Sequence, residues 1–281
     1  MRVAETEAPR RGAKPKGALN DLPARIAVGA PALAIVIAAV VVGDAALAAL
    51  LAVAAGLAAW EAMRLLADSK AAGMTTGALA AGLVVAVALW EREALAPAVA
   101  CAFGALVLGV IFEGREGRRV APVLAGTMAV IWVGGGLAHA VLLRELDHGG
   151  ALVLLVLVGT FVGDTAAHLL GSLFGRTRLA PSISPNKTVE GLVAGIAGGT
   201  VAVICVALVA EPWLGAGDAA LIGLGVAIAA PLGDLWESVI KREAGVKDSG
   251  TLLGAHGGVL DRIDAVLFTV PLGYYLALAL L

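Results

Sequence analysis

Charge is scarce in this sequence, and so are aromatic rings, histidines and cysteines. Only 15% of the 281 residues are charged while 60% are hydrophobic, so a water-soluble domain of this size would lack the polar side chains needed to coat its surface. A bilayer is the solvent such a composition implies. The two cysteines, Cys101 and Cys205, lie far apart inside apolar runs, where they read as small buried hydrophobes and say little about redox compartment. No group of Cys or His side chains supports a zinc site. A net charge of −2 gives no bulk case for nucleic-acid binding; in a membrane chain the placement of charge matters more than its sum. The period-two alternation of a membrane barrel is missing too. The apolar runs are long and uninterrupted, many near the ~20 residues that cross ~30 Å of hydrocarbon as a helix. The 37 glycines, with abundant Ala and Val, suit close helix packing.

The expected fold is therefore all-α, a polytopic membrane protein with about nine transmembrane helices. Turn signals and charges cut the chain into Ile26 to Val42, Ala45 to Ala67, Met74 to Trp90, Ala94 to Phe112, Val120 to Leu143, Ala151 to Leu170, Val189 to Ala210, Ala219 to Ile240 and Val259 to Leu281. An odd number of spans places the termini on opposite sides. Eighteen of the twenty lysines and arginines fall in the N-terminal tail and alternate loops, leaving Arg92 and Arg144 for the opposite side. This bias makes the N-terminus cytoplasmic and the C-terminus external. Residues 1–24 form a basic tail, expected to be disordered up to about Leu22 and to adhere to anionic headgroups. It is not a secretory signal, since no cleavage pattern follows the first apolar run. Residues 25–150 are read as a scaffold of membrane helices and 151–281 as the catalytic membrane region.

Through the first five spans, charges lie mainly at helix ends, where snorkelling accounts for them. Glu61 has Arg64 at i+3, so a local ion pair is the expected arrangement. His139 and His148 lean to the outer side and read as incidental. After Ala151 the pattern changes. Asp164, in Val-Gly-Asp-Thr, sits within an apolar span, where a carboxylate is costly unless it faces a polar cavity, a metal or a partner. The following loop, Pro181-Ser-Ile-Ser-Pro-Asn-Lys-Thr-Val-Glu190-Gly, places hydroxyls, a lysine and backbone N–H groups before a helix start. Such a start can take an anion or simply be capped by Thr188 or Ser184.

The densest cluster comes next. Asp234, Ser238, Lys241 and Arg242 follow i, i+4, i+7, i+8 spacing and share one helical face. Lys247 and Asp248 follow, then Gly254-Ala-His256-Gly-Gly258, then Asp261, Arg262 and Asp264 at the start of the last span. Carboxylates from two antiparallel helices beside several cations suit a divalent ion with bound phosphates. Mg²⁺ takes oxygen ligands and commonly bridges one or two carboxylates to substrate phosphate, so Asp234 and Asp261 are the expected ligands. The cations would offset triphosphate charge and stabilise leaving pyrophosphate.

From Ser238 to Asp264 the sequence reads S-V-I-K-R-E-A-G-V-K-D-S-G-T-L-L-G-A-H-G-G-V-L-D-R-I-D, which resembles the signature of the phosphatidate cytidylyltransferases, or CDP-diacylglycerol synthases. Every characteristic position matches. Upstream, G-D-T-A-A-H followed by S-P-N-K-T-V-E-G resembles a second region of the same family, so the resemblance covers roughly Ala151 to the C-terminus; the first five spans match only in general character. Asn186 stands where many members have lysine, and His168 where many have tyrosine, which bears on phosphate, lipid or dimer contacts. The resemblance implies that CTP and phosphatidate give CDP-diacylglycerol and pyrophosphate, with Mg²⁺ required, often a monovalent cation such as K⁺ nearby, and a homodimer in the bacterial-type inner membrane. Asp234, Asp261, Lys241, Asp248 and His256 are the expected catalytic set. Asp164, Ser184, Asn186, Lys187, Thr188, Glu190, Ser238, Arg242, Lys247, Gly257, Gly258, Arg262 and Asp264 are expected to bind substrate.

Two rival readings stand beside this one. A CTP-dependent polyprenol or phytol kinase would also place a nucleotide site at cytoplasmic helix ends, but the full Lys-Asp to His-Gly-Gly to Asp-Arg spacing argues against it. An ion-coupled transporter would gather its charges near the bilayer midplane, usually with inverted repeats. Here they gather at one face. Gly163-Asp164 and Gly233-Asp234 form a weak internal echo, on spans of the same direction; a duplication would bring both aspartates to one polar cavity.

Overall fold

The computed structural model describes residues 22–67, 70–112, 120–254 and 257–281. Most of the expected N-terminal tail and the catalytic candidate His256 lie outside these residues. The helix α1, Leu22–Val42, already includes the last three positions assigned to that tail. Then come α2 (Asp44–Ala67), α3 (Lys70–Trp90), α4 (Leu95–Phe112), α5 (Val120–Ala129), α6 (Gly136–Glu145) and α7 (Gly149–Phe174). A short hairpin, β1 (Arg178–Ala180) and β2 (Ser184–Thr188), precedes α8 (Val189–Ala210) and α9 (Ala216–Glu243). The one-turn α10 (Leu260–Ile263) leads into α11 (Val266–Leu280).

Among the described residues seven stretches are long and apolar enough to cross a bilayer. This differs from the expected nine in two places. The spans predicted over 74–90 and 94–112 are both present, as α3 and α4, but they run on through the 3₁₀ turn Glu91–Ala94, where Glu91 at φ 54° turns the chain so that α3 packs on α4, and they count as a single apolar stretch from Ala72 to Gly109. The described apolar part of α1, Pro31–Val42, is too short to count. The fifth span runs from α5 to α6 through a π-helical segment, Val130–Gly135.

Glycine sets how closely the C-terminal helices approach. On α7 and α8, Gly159, Gly163 and Ala167 face Gly199, Gly195 and Gly191: a Cβ on Gly199 would lie 2.6 Å from the Gly159 carbonyl oxygen, one on Gly195 2.9 Å from that of Gly163, and one on Gly191 2.7 Å from that of Ala167. Lipid offers no hydrophobic drive between helices, so this backbone proximity is what holds the pair. A Cβ on Gly233 of α9 would lie 2.9 Å from Ala265 Cα, which brings the Asp234 turn against the α10–α11 junction.

The bundle has two distinct polar ends. At one, Arg144 pairs with Asp44 at 3.3 Å, the His148 ring stacks on Trp213 at 4.2 Å, and His139 meets the Tyr275 hydroxyl at 3.2 Å. At the other, the end of α2, the hairpin, the end of α9 and the α9–α10 loop come together. At 28 residues α9 is ~42 Å long, more than the ~30 Å of hydrocarbon requires, so its last turns reach beyond the apolar core.

Candidate active site

The hairpin is the first feature that the sequence reading did not anticipate. It is held at its base by α8: Thr188 is the N-cap, its hydroxyl accepting from Gly191 N–H at 3.1 Å. Capping is one of the two roles that its place before a helix start offers. Glu190, expected to bind substrate, turns back instead and accepts from the N–H groups of Arg176 at 3.0 Å and Thr177 at 3.2 Å and from the Thr177 hydroxyl at 3.0 Å. It orders the α7–β1 connection. Arg178 donates to the Pro185 carbonyl across the hairpin at 2.5 Å. Ser184 and Asn186 lie on β2, Asn186 exposed.

Lys187, next along β2, reaches α9 and pairs with Asp234 at 2.6 Å. Asp164 on α7 lies within electrostatic reach of both Asp234 and Lys187, and His168 acts on it as well. The two Gly-Asp pairs of the internal echo thus share one polar cluster. Ser238 donates to Asp234 at 3.4 Å from one turn further on.

A second centre forms around Lys241. Its ammonium meets Glu237 at 2.5 Å on its own helix and Asp261 at 2.8 Å from α10. Only 13% of the Lys241 side chain is exposed, against 1% for Glu237 and 8% for Asp261. The second oxygen of Asp261 accepts from Ser249 N–H at 2.9 Å, the Ser249 hydroxyl at 2.9 Å and Gly258 N–H at 2.7 Å. Gly257 enters this loop at φ 77°, and a Cβ there would meet Asp261. Asp264 accepts from Ala265 N–H at 2.8 Å, sits in the fields of Asp234 and Lys241, and lies against the Glu237 carboxyl.

The predicted α9 face therefore divides. Asp234, Ser238 and Lys241 turn into the cluster, while Arg242 points to the hairpin and donates to the carbonyls of Ile183 at 3.1 Å and Val246 at 3.2 Å. Lys247, Asp248 and Arg262 are exposed at the same end. Three polar side chains in this network were missed. Glu237 carried the same signal that singled out Asp164, a carboxylate in an apolar span. Ser249 had no signal apart from its place in the loop. Glu61 was expected to pair with Arg64, yet Arg64 lies over the Trp60 ring at 5.0 Å and Glu61 bonds into the α9–α10 loop.

The donors gathered here are carboxylate oxygens, the kind a hard cation takes. Among the described residues no three His, Cys, Asp or Glu side chains are grouped to hold a metal alone. The two expected ligands are each ion-paired to a lysine, Asp234 to Lys187 and Asp261 to Lys241, so an ion held by them would displace an ammonium group and draw its remaining ligands from phosphate and water.

Fold and site together define a polytopic α-helical membrane protein with a lysine-carboxylate centre at one end of its helix bundle. A sequence model of the cytidylyltransferase family matches residues 23–280, and the chain belongs to that family. It is 37% identical over 174 residues to the phosphatidate cytidylyltransferase of Thermotoga maritima, covering 60% of this chain and 64% of that protein. The enzyme of the same name from Synechocystis sp. is 43% identical over 133 residues, 47% of this chain and 45% of the relative. That of Bacillus subtilis is 39% identical over 151 residues, 53% and 56%. The chain thus spans between about half and two thirds of the length of the curated relatives it matches.

Proposed function

We propose that this protein is a phosphatidate cytidylyltransferase acting at the cytoplasmic face of a bacterial inner membrane. An anionic phosphate oxygen of phosphatidate attacks the α-phosphorus of CTP, the bond from that phosphorus to the bridging α–β oxygen breaks, and pyrophosphate leaves as CDP-diacylglycerol forms. The nucleophile is already ionised, so the protein's task is to hold two polyanions in line and to neutralise charge. The observation that carries this reading is the cation and carboxylate cluster built from β2, α9 and α10 at a single end of the bundle.

Lys187 and Lys241 each sit on a carboxylate from another element, which holds the two ammonium groups in fixed, partly desolvated positions. Phosphate oxygens arriving at this end would compete for them, and positive charge placed beforehand favours the state in which negative charge grows on the leaving group. Asp234 and Asp261 would hold Mg²⁺ together with the nucleotide phosphates, and the ion supplies further positive charge to the triphosphate. Arg242 would fix the hairpin over the cluster. The cytoplasmic assignment of this end, with the N-terminus inside, rests on the lysine and arginine bias of its loops. A homodimer and a monovalent cation belong to the same proposal through the family resemblance alone.

Product analysis tests it. Purified protein with CTP, Mg²⁺ and phosphatidate is expected to release pyrophosphate and form CDP-lipid, and Asp234→Asn or Asp261→Asn to abolish turnover while leaving folded protein in the membrane. A phosphorylated lipid alcohol formed with CDP would instead identify a kinase. Failure of phosphatidate to release pyrophosphate would overturn the assignment.

A further inference from the structure

We infer that Glu61, on α2 in the N-terminal half, is a positioning residue that fixes the loop carrying Asp261. Glu61 is buried, 1% exposed, near the end of a helix whose other buried residues are mostly alanine. One oxygen accepts from Leu260 N–H at 2.9 Å and lies 3.5 Å from the Ser249 hydroxyl, bridging 199 and 188 residues of sequence. Ser249 in turn holds Asp261 through both its N–H and its hydroxyl. Glu61 thus reaches Asp261 at one remove, through the two residues that flank the glycine loop.

Two glycines show how closely this carboxylate is enclosed. A Cβ on Gly250 would run into one Glu61 oxygen, and a Cβ on Gly258 into the other and into the Ser249 hydroxyl. Neither glycine has a positive φ, so backbone conformation does not require them. Space does: Glu61 occupies the room that their side chains would need. The signature loop is therefore moulded around a residue outside the signature. Leu260, completely buried, starts the helix that bears Asp261, so the Glu61–Leu260 bond sets where that helix begins. This gives the first helices of the chain a definite part in the site. Its value for catalysis rests on the cytidylyltransferase reading, but its structural content does not.

Hydrogen–deuterium exchange of the full protein in detergent, without substrate, separates the two. In Glu61→Ala, amides from 248 to 262 are expected to exchange roughly tenfold or more faster, the loss of one buried charged acceptor, while the hairpin at 178–188 exchanges as in the parent. Glu61→Gln keeps an acceptor for Leu260 and should restore most of the protection. Ser249→Ala is expected to loosen 248–250 and to add little in the Glu61→Ala background, since both changes cut the same connection. In turnover, Glu61→Ala should lower kcat more than it raises the KM for CTP, with Glu61→Gln in between. Unchanged exchange at 248–262, or equal acceleration in the hairpin, would overturn the inference. A protein that fails the phosphatidate assay but shows the exchange pattern would count against the proposed activity alone.

Discussion

Replacing Lys241 with methionine removes the cation between two buried carboxylates while keeping a side chain of similar length. Asp261 retains three donors on its second oxygen. Glu237 does not fare so well: one oxygen has Lys241 as its hydrogen-bond partner, and the other group within its reach is the acidic Asp264 carboxyl, which cannot offset its charge. Removing one partner of a buried pair costs about 3–5 kcal/mol, and the slight exposure of Lys241 argues for the lower end, ~3 kcal/mol. Taking roughly 2–4 °C per kcal/mol for a chain of this size, Lys241→Met should melt on the order of 6–12 °C lower in mild detergent. Arg242→Met is the control. It gives up two hydrogen bonds to carbonyls at an exposed position, worth ~1 kcal/mol, so its shift should be several-fold smaller. Adding Glu237→Gln to Lys241→Met removes the stranded charge and should recover roughly half of the loss or more, a coupling of about 1–3 kcal/mol. If Lys241→Met melted no lower than Arg242→Met, or if the second change gave no recovery, the buried ion triad would not be the structural centre described above.

The glycine ladder between α7 and α8 makes a separate prediction. Gly195→Val, whose Cβ would sit 2.8 Å from Ala167 Cβ and 2.9 Å from the Gly163 carbonyl oxygen, should sharply reduce folded protein recovered from membranes, while Gly104→Ala, with nothing within 4 Å of the new Cβ, should leave the yield unchanged. At the base of the hairpin, Thr188→Ala removes the α8 cap and should cost about 1 kcal/mol, with Thr188→Ser keeping most of it. Thermal unfolding reads the loss, and faster tryptic cleavage at Arg178 or Lys187 would place it at the hairpin.

What the sequence made legible is what depends on local spacing. Apolar runs of bilayer length needed no tertiary information, because a helix in lipid must satisfy its own backbone. Asp234, Ser238 and Lys241 were placed on one face by helical period alone, and the cluster contains all three. The hairpin escaped because it is a few residues of polar chain broken by Pro181 and Pro185, with no alternating pattern long enough to declare a strand. Arg242 escaped in a different way: its spacing put it with the cluster, but a guanidinium on a long stem at the end of α9 found carbonyls on the hairpin, a partner 59 residues back.

Glu61 is the instructive case. The i+3 rule offered Arg64, and in water an exposed pair of that kind is worth only ~0.2–0.5 kcal/mol. A buried backbone N–H offers a carboxylate more than that, since a hydrogen bond to a charged group contributes about 1.5–3 kcal/mol and Arg64 can turn to the Trp60 face at no loss. Local spacing named the weaker partner because the stronger one lies 199 residues away. The same logic explains why the signature reads as self-contained when it is not. Gly250 and Gly258 mark where another helix's side chain has to fit, and that helix can be identified only once the chain is folded.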